Sequence, residues 1–404
     1  MVNDLAAFIN TPSPKLNYSD VEMENCLNII PHSILFDYGI KDYLIEVNTH
    51  PQFEKLFFKN SNSQISFDLF GASFWLLTRY EEYLPHKIDK FHRFNFKSSL
   101  AYQYSFIEKA LVNKWLEELK KILLICYPDL QFKKHSYVFL SSIDVDNVYK
   151  YKHKGFVRTI AGYVSDLFSK NFDSIKQRTL VIFKKKKDPF DCYQFLIDTH
   201  KQLNIEAIYF FLLGDYGMND KNHSATNLYF QTLIKEIADY GMVGIHPSYG
   251  SQNNLQQLKV EVSRLSSITH KTIRKSRQHF SVLNFPETYN ALLQAGVTED
   301  YSMGYTNYNG FRASYCYPFK WYNLEDEQIT PLTIYPFCIA ENTAIYYANK
   351  ENKAYSDLVN PLINEVKKYN GLLISIFHND TFTDEMKKVY LKFLETCINF
   401  GQQN

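Results

Sequence analysis

Six residues of this chain combine types and spacings that suit chemistry. Asp144 and Asp146 stand two positions apart in "SSIDVDN", directly after the apolar run "YVFL". His246 follows the short run "MVGI", Arg277 and His279 stand two apart in "SRQHF", and His378 closes "LLISIF". In extended backbone, residues i and i+2 share a face. Two carboxylates so close repel unless something offsets the charge. A bound cation does so, holding one as ligand and leaving the other free as base. A helix N-cap beside a solvated acid would give the same two residues, and a lone His at a strand end is ordinarily structural. Gathered at one sheet edge, however, one carboxylate and two imidazoles can hold a divalent ion. The second carboxylate can then take a proton from water, and a further His can protonate a leaving group. That is metal-assisted hydrolysis of an amide or ester.

Positioning these residues requires a sheet whose strands end together. From about residue 133 onward the pattern alternates strands with helices. Strand candidates are "SYVFLSSI", "IEAIYFFLLG", "MVGIH", "HFSVL" and "LLISIFH". Between them lie the helical stretches "CYQFLIDTHKQL", "NLYFQTLIKEIADYG" and "NLQQLKVEVSRLSSITHKTI". Such alternation predicts a parallel sheet wrapped by helices, with continuous apolar strands because both faces are covered. Ligands of such sheets gather past the carboxyl ends of the strands. Residues 1–132 read as a separate α+β unit, with strand-like "LNIIPHSILFDYG" and "DYLIEV". Two helical patterns follow there, "FDLFGASFWLLTRYEEYL" and "SFIEKALVNKWLEELKKILLICY", the second with apolar residues from Ile107 to Leu123 at helical spacing. The charged run holding Arg79, Glu81, Glu82, Asp89, His92 and Arg93 reads as a site or as a salt-bridged seam.

The bulk numbers set bounds. With 404 residues, 45% of them hydrophobic, the chain can bury a large core and form two domains. A net charge of +1 gives no reason to expect nucleic acid. The 31 Tyr and 32 Phe could serve a sugar-binding cleft, or reflect an AT-rich genome. Six scattered cysteines without a C-x-x-C pair point to neither a thiolate metal site nor a disulfide framework. The N-terminal stretch has no basic region followed by an apolar run, and no apolar run reaches the ~18 residues of a membrane span. A cytoplasmic protein is expected. Phe156–Lys187 carries eight Lys and Arg against two Asp, with apolar residues on one helical face. It reads as a surface insertion or as a basic amphipathic helix for an anionic membrane.

The order of these motifs resembles the polysaccharide deacetylases, the NodB-homology group of carbohydrate esterase family 4, over roughly residues 135–385. "SSIDVDN" resembles the first family motif, "GIHPSYGS" the second, "SRQHF" the third, "EDYSMGY" the fourth and "ISIFH" the last. Strings such as "DPFDCYQFL" and "TRYEEYL" are similar to a Bacteroidetes-type branch that carries an N-terminal extension. The resemblance implies a distorted (β/α) barrel over 133–404. It implies Asp144 as catalytic base, Asp146 and His246 as metal ligands and Arg277 as the holder of Asp144. It also implies Asp300 as the acid that steadies the catalytic His, and His378 as general acid. The family's second metal His falls at Gly250 here, which offers no side chain. His279 is the expected substitute, giving a His, His and Asp set suited to zinc. Tyr249, Tyr301, Tyr305, Arg312 and Trp321 are candidate pocket walls. The implied activity is removal of an acetyl group from an N-acetylated sugar, nucleotide-linked or lipid-linked, in surface polysaccharide biosynthesis. The alternatives are a catalytically silent carbohydrate-binding protein and a metal-free amide hydrolase.

Overall fold

The computed structural model describes residues 4–12, 14–60 and 64–398. Nine strands form the main sheet: β1 (Val138–Val145), β2 (Glu206–Phe211), β3 (Met242–Ile245), β4 (Lys275–Ser276), β5 (Glu299–Asp300), β6 (Phe319–Asn323), β7 (Gln328–Ile334), β8 (Ile339–Ala340) and β9 (Leu372–His378). Their order is β6-β7-β5-β4-β3-β2-β1-β9-β8, parallel except for the β6–β7 edge hairpin. Because β6 and β8 are both edges, the sheet is curled and open, a half-barrel within a mixed α/β fold.

The parity of the strands explains what sits where. Ile143, Val145, Tyr209, Phe211, Ile245 and Phe377 point into the larger apolar core, where the helices pack. Leu140, Ile208, Phe210, Ile374 and Ile376 point to the other face, into a small cluster with Tyr301 and Phe337. Continuing the second series along each strand reaches Ser142 and Asp144 on β1 and His378 on β9. Asp144 and His378 are register partners across these strands. The polar strand ends therefore rim the smaller face.

From Leu111 onward the α-helices among the described residues are α1 (Leu111–Cys126), α2 (Phe156–Phe168), α3 (Phe172–Ile182), α4 (Tyr193–Gln202), α5 (Leu228–Ala238), α6 (Leu255–Thr269), α7 (Glu287–Gln294), α8 (Glu341–Glu351), α9 (Tyr355–Lys368) and α10 (Asp384–Ile398); a further helix at Leu69–Thr78 precedes them. Four of the five expected strands of this region form. "HFSVL" does not: the strand is Lys275–Ser276, and His279–Ser281 is a single tight turn with Phe280 at φ 58°. "DYLIEV" is irregular, with a short strand following at Asn48–His50.

A second apolar core gathers residues from Leu27 to Leu119 and recruits Tyr305 and Leu324 from the far part of the chain. At its seam Glu82 accepts from Arg79 Nε at 2.7 Å and from Arg312 Nε at 2.8 Å, all three fully buried. Burial alone would raise the Glu82 pKa, but the two guanidiniums hold it below the usual carboxylate value. Removing one partner of such a buried set costs about 3–5 kcal/mol, so the charged run tightens a seam. Among the described residues no helix is long and apolar enough to cross a membrane.

Candidate active site

At the end of β1, Asp144 is buried and its Oδ1 accepts from Arg277 Nη1 at 3.2 Å. The Arg277 guanidinium is itself fixed. Nη1 donates to Ser142 Oγ at 2.7 Å, Nε donates to the Tyr301 carbonyl at 3.1 Å, and the plane lies over the Phe210 ring. Burial lowers the Arg277 pKa, against the opposing pull of Asp144 and Asp300. The other oxygen of Asp144, Oδ2, stands 3.9 Å from His246 Nε2.

Asp146, His246 and His279 converge beside it, each offering one donor atom within 4.8 Å of the others. Both imidazoles are oriented by their far nitrogens. His246 Nδ1 meets the Arg277 carbonyl at 2.5 Å, and His279 Nδ1 meets Asp220 Oδ1 at 2.9 Å. A carbonyl or carboxylate at Nδ1 fixes the tautomer and leaves Nε2 as a lone-pair donor, the usual support of a metal-binding His. Both Nε2 atoms face Asp146, at 3.1 Å from His246 and 3.5 Å from His279. His246 Nε2 and Asp146 Oδ1 are buried without a hydrogen-bond partner, which is costly for facing lone pairs unless a cation lies between them. Burial would lower the His279 pKa, but Asp146 and Asp220 outweigh it and raise it to about 9. A field that favours a proton there favours a cation equally. The residues present therefore fit a divalent ion, with positions left open.

Gly250 contributes its backbone to this arrangement. The Asp220 carboxylate accepts from the amides of Tyr249 at 2.9 Å and Gly250 at 3.1 Å while it holds His279. His279 is further braced by stacking. Its ring lies 4.1 Å from Phe280, and Phe280 lies 4.6 Å from Phe91. Arg93 Nη1 donates to the Phe280 carbonyl at 3.1 Å. The loop around residue 91 thus reaches from the N-terminal region to the turn that carries His279.

On the opposite side, His378 ends β9. Glu341, the first residue of α8 and fully buried, accepts from His378 Nδ1 at 2.7 Å and from its backbone amide at 3.0 Å. Burial opposes the imidazolium, but Glu341 outweighs it, with Asp146 and Asp144 adding, so the His378 pKa lies well above 6.5. With Nδ1 committed, Nε2 is the nitrogen able to hand over a proton.

Several expected placements need correction. Asp300 is not the partner of His378. Its carboxylate is fully buried and consumed by Ser276, Ser302 and Tyr289. Tyr301 stacks on Tyr335 and bonds Glu299, Tyr305 meets Arg79, Arg312 serves the Glu82 seam and Trp321 packs on Tyr289. All four are at most 3% exposed, so they cannot wall an open pocket. Tyr249 is half-buried next to the site, above Asp220 and edge-on to Phe280. It borders a cleft of about 470 Å³ whose lining includes His92, Gln252, Asn253, Asn254 and Asn284. Asp220 and Glu341 were not anticipated. The one faint signal for Glu341 is an acid after the apolar "FCIA".

A family model described as a family of unknown function (DUF7033) matches residues 1–128. No curated protein matches the chain. Among solved structures, a proposed polysaccharide deacetylase from Mycobacterium smegmatis is 10% identical, with a TM-score of 0.40, over 67% of this chain and 87% of that one. A family 4 carbohydrate esterase from Streptomyces lividans is 12% identical, with a TM-score of 0.31, over 65% and 87%. A pseudoenzyme of that family from Bacillus anthracis is 10% identical, with a TM-score of 0.28, over 64% and 62%. These three TM-scores lie below 0.5.

Proposed function

We propose that this protein is a metal-dependent hydrolase on a NodB-type fold that removes an acetyl group from an N-acetylated sugar. One observation carries the reading. A three-donor cation site stands beside an arginine-held carboxylate, and the register partner of that carboxylate is a histidine backed by a buried glutamate. A divalent ion, zinc by the His, His and Asp donor set, would polarise the acetyl carbonyl and acidify water. Asp144 accepts the proton of the attacking water, with Arg277 holding its carboxylate at the required angle. His378 delivers a proton to the departing nitrogen, which would otherwise leave as an amine anion, and Glu341 keeps that proton in place. The amide side chains beside Tyr249 suit sugar hydroxyls, which need paired donors and acceptors. The sugar is an activated precursor, nucleotide-linked or lipid-linked.

The test is acetate release from N-acetylated sugars by the purified protein, before and after chelation and again after zinc is restored. Release that stops on chelation and returns with zinc supports the reading. One zinc bound per chain with sugar binding and no acetate would establish a silent binding protein. Acetate release that ignores chelation would establish the metal-free hydrolase.

A further inference from the structure

The helix pair α2–α3 is built inside out. In α2, Phe156, Val157, Ile160, Val164, Leu167 and Phe168 fall within about one third of the circumference at 100° per residue. That stripe is open to solvent, each residue being 46–85% exposed, and no residue of α2 is buried. The polar side of α2 is the one turned inward. Asp166 pairs with Arg178 of α3 at 2.7 Å, and Tyr163 shares a hydrogen bond with Thr179 at 2.9 Å. Gly162 makes room for the Arg178 guanidinium, since a Cβ there would meet Nη1 at 2.3 Å. Helices on soluble proteins ordinarily bury the apolar stripe and expose the polar one.

A second feature lies on and just after α3. Phe172, Ile182 and Phe183 are exposed there, and Lys184–Lys187 follow at once, all exposed. These four lysines, with Lys152, Lys154 and His153, line a cleft of 690 Å³ that also contains Thr159 of α2. Among the described residues, Lys184, Lys185 and Lys186 form no ion pair with an acid. Buried Asp188 ties this end of the insertion to the loop leaving β1, accepting from the amides of Lys150, Tyr151 and Lys152. The surface is thus anchored on the segment that follows Asp144 and Asp146.

We infer that α2 and α3 form a peripheral docking surface for an anionic lipid bilayer, the apolar stripe entering the acyl boundary and the lysine cleft taking the phosphates. A 13-residue helix is too short to span a bilayer and long enough to lie in its plane. A second copy of this chain fits the surface poorly, because a two-fold contact would set the same lysine-rich patch against itself.

Flotation of the full chain tests this, with vesicles of phosphatidylcholine alone or with one third phosphatidylglycerol. The wild type is expected to float with the anionic vesicles at low salt and to stay behind with the neutral ones. Phe156→Asp with Phe168→Asp should abolish flotation, with an unchanged circular-dichroism spectrum. Replacing Lys184–Lys187 by Gln should weaken apparent affinity at least ~10-fold. A wild type that does not float with anionic vesicles overturns the proposal. So does a double Asp variant that floats like the wild type, or a dimer in solution that the double Asp substitution breaks. No readout here depends on turnover, so the outcome is independent of the proposed hydrolase activity.

Discussion

In the proposed reading, the two sides of the strand-end cleft use the same side chain for opposite purposes. On the β3–β4 side, two imidazoles have their Nδ1 atoms tied to a carbonyl and to Asp220, and their Nε2 atoms meet over Asp146. On the β9 side, one imidazole has its Nδ1 tied to Glu341. Asp146, with Asp220 at Nδ1 adding, raises the basicity of His279, and Glu341 at Nδ1 raises that of His378. What separates them is the group facing Nε2. Where Asp146 faces Nε2, the nitrogen is placed to serve as a ligand; His378 Nε2, in the proposed reading, carries a proton instead. Asp144 stands between, held by Arg277 and within 3.9 Å of His246.

The sharpest way to break this division is Asp144→Asn. It should lower turnover by about 10³-fold, the scale of a lost general base, while metal content by mass spectrometry stays at the wild-type level. Parallel loss of metal would show that Asp144 is a ligand and that the two sides are not distinct. Next in size, His279→Ala should weaken metal binding by more than ~100-fold, beyond the range of an outer-shell change, with turnover falling in proportion. Retention of metal in this variant would place the third ligand elsewhere.

The two sides were unequally legible. Asp144, Asp146, His246 and His378 follow apolar runs, so a pattern search for strand ends finds them, and the helix periods from residue 193 to 269 read directly. Glu341 was hidden because β8 is two residues long and leaves no periodicity to mark its end. Asp220 lies in the irregular segment after β2, where spacing carries no information about direction. His279 was found by the wrong route. The i, i+2 spacing puts it on a strand with Arg277, yet the left-handed Phe280 ends extended structure there, and His279 reaches Asp146 from a turn. Tyr301, Tyr305, Arg312 and Trp321 suit a pocket wall by residue type alone, and type does not reveal burial or prior commitment to a partner.

One substitution made on each side sharpens the comparison further. Asp220→Asn keeps the shape and removes the charge behind His279. It should cost about 10–100-fold in metal affinity and leave the alkaline limb of the pH profile where it was. Glu341→Gln does the same behind His378 and should leave metal affinity unchanged. Turnover should fall about 10-fold. The pH effect has a definite sign. Glu341 holds the His378 pKa well above 6.5, so activity should be lost as pH rises through that raised value. Without the Glu341 charge the pKa drops, burial pushing it further down, and the alkaline loss begins at lower pH. An unmoved alkaline limb would remove His378 from the role of acid.

The smallest effect concerns a residue outside the sheet altogether. Phe91 stacks on Phe280 with an interplanar angle of 10°, and Phe280 stacks on His279 at 22°. An aromatic pair contributes about 0.5–1.5 kcal/mol beyond its area. If that energy restrains the His279 ring, Phe91→Ala should weaken metal binding by ~3–10-fold, read by competition with a chromophoric chelator. Thermal stability is a poor readout, since Phe91 is only half-buried. Phe91 lies within residues 1–128, the part of the chain that matches the family of unknown function. A change in metal affinity would therefore give that region a part in building the site. Unchanged affinity would mean that Asp220 alone fixes His279, and that the aromatic stack serves only to hold the N-terminal loop against the sheet.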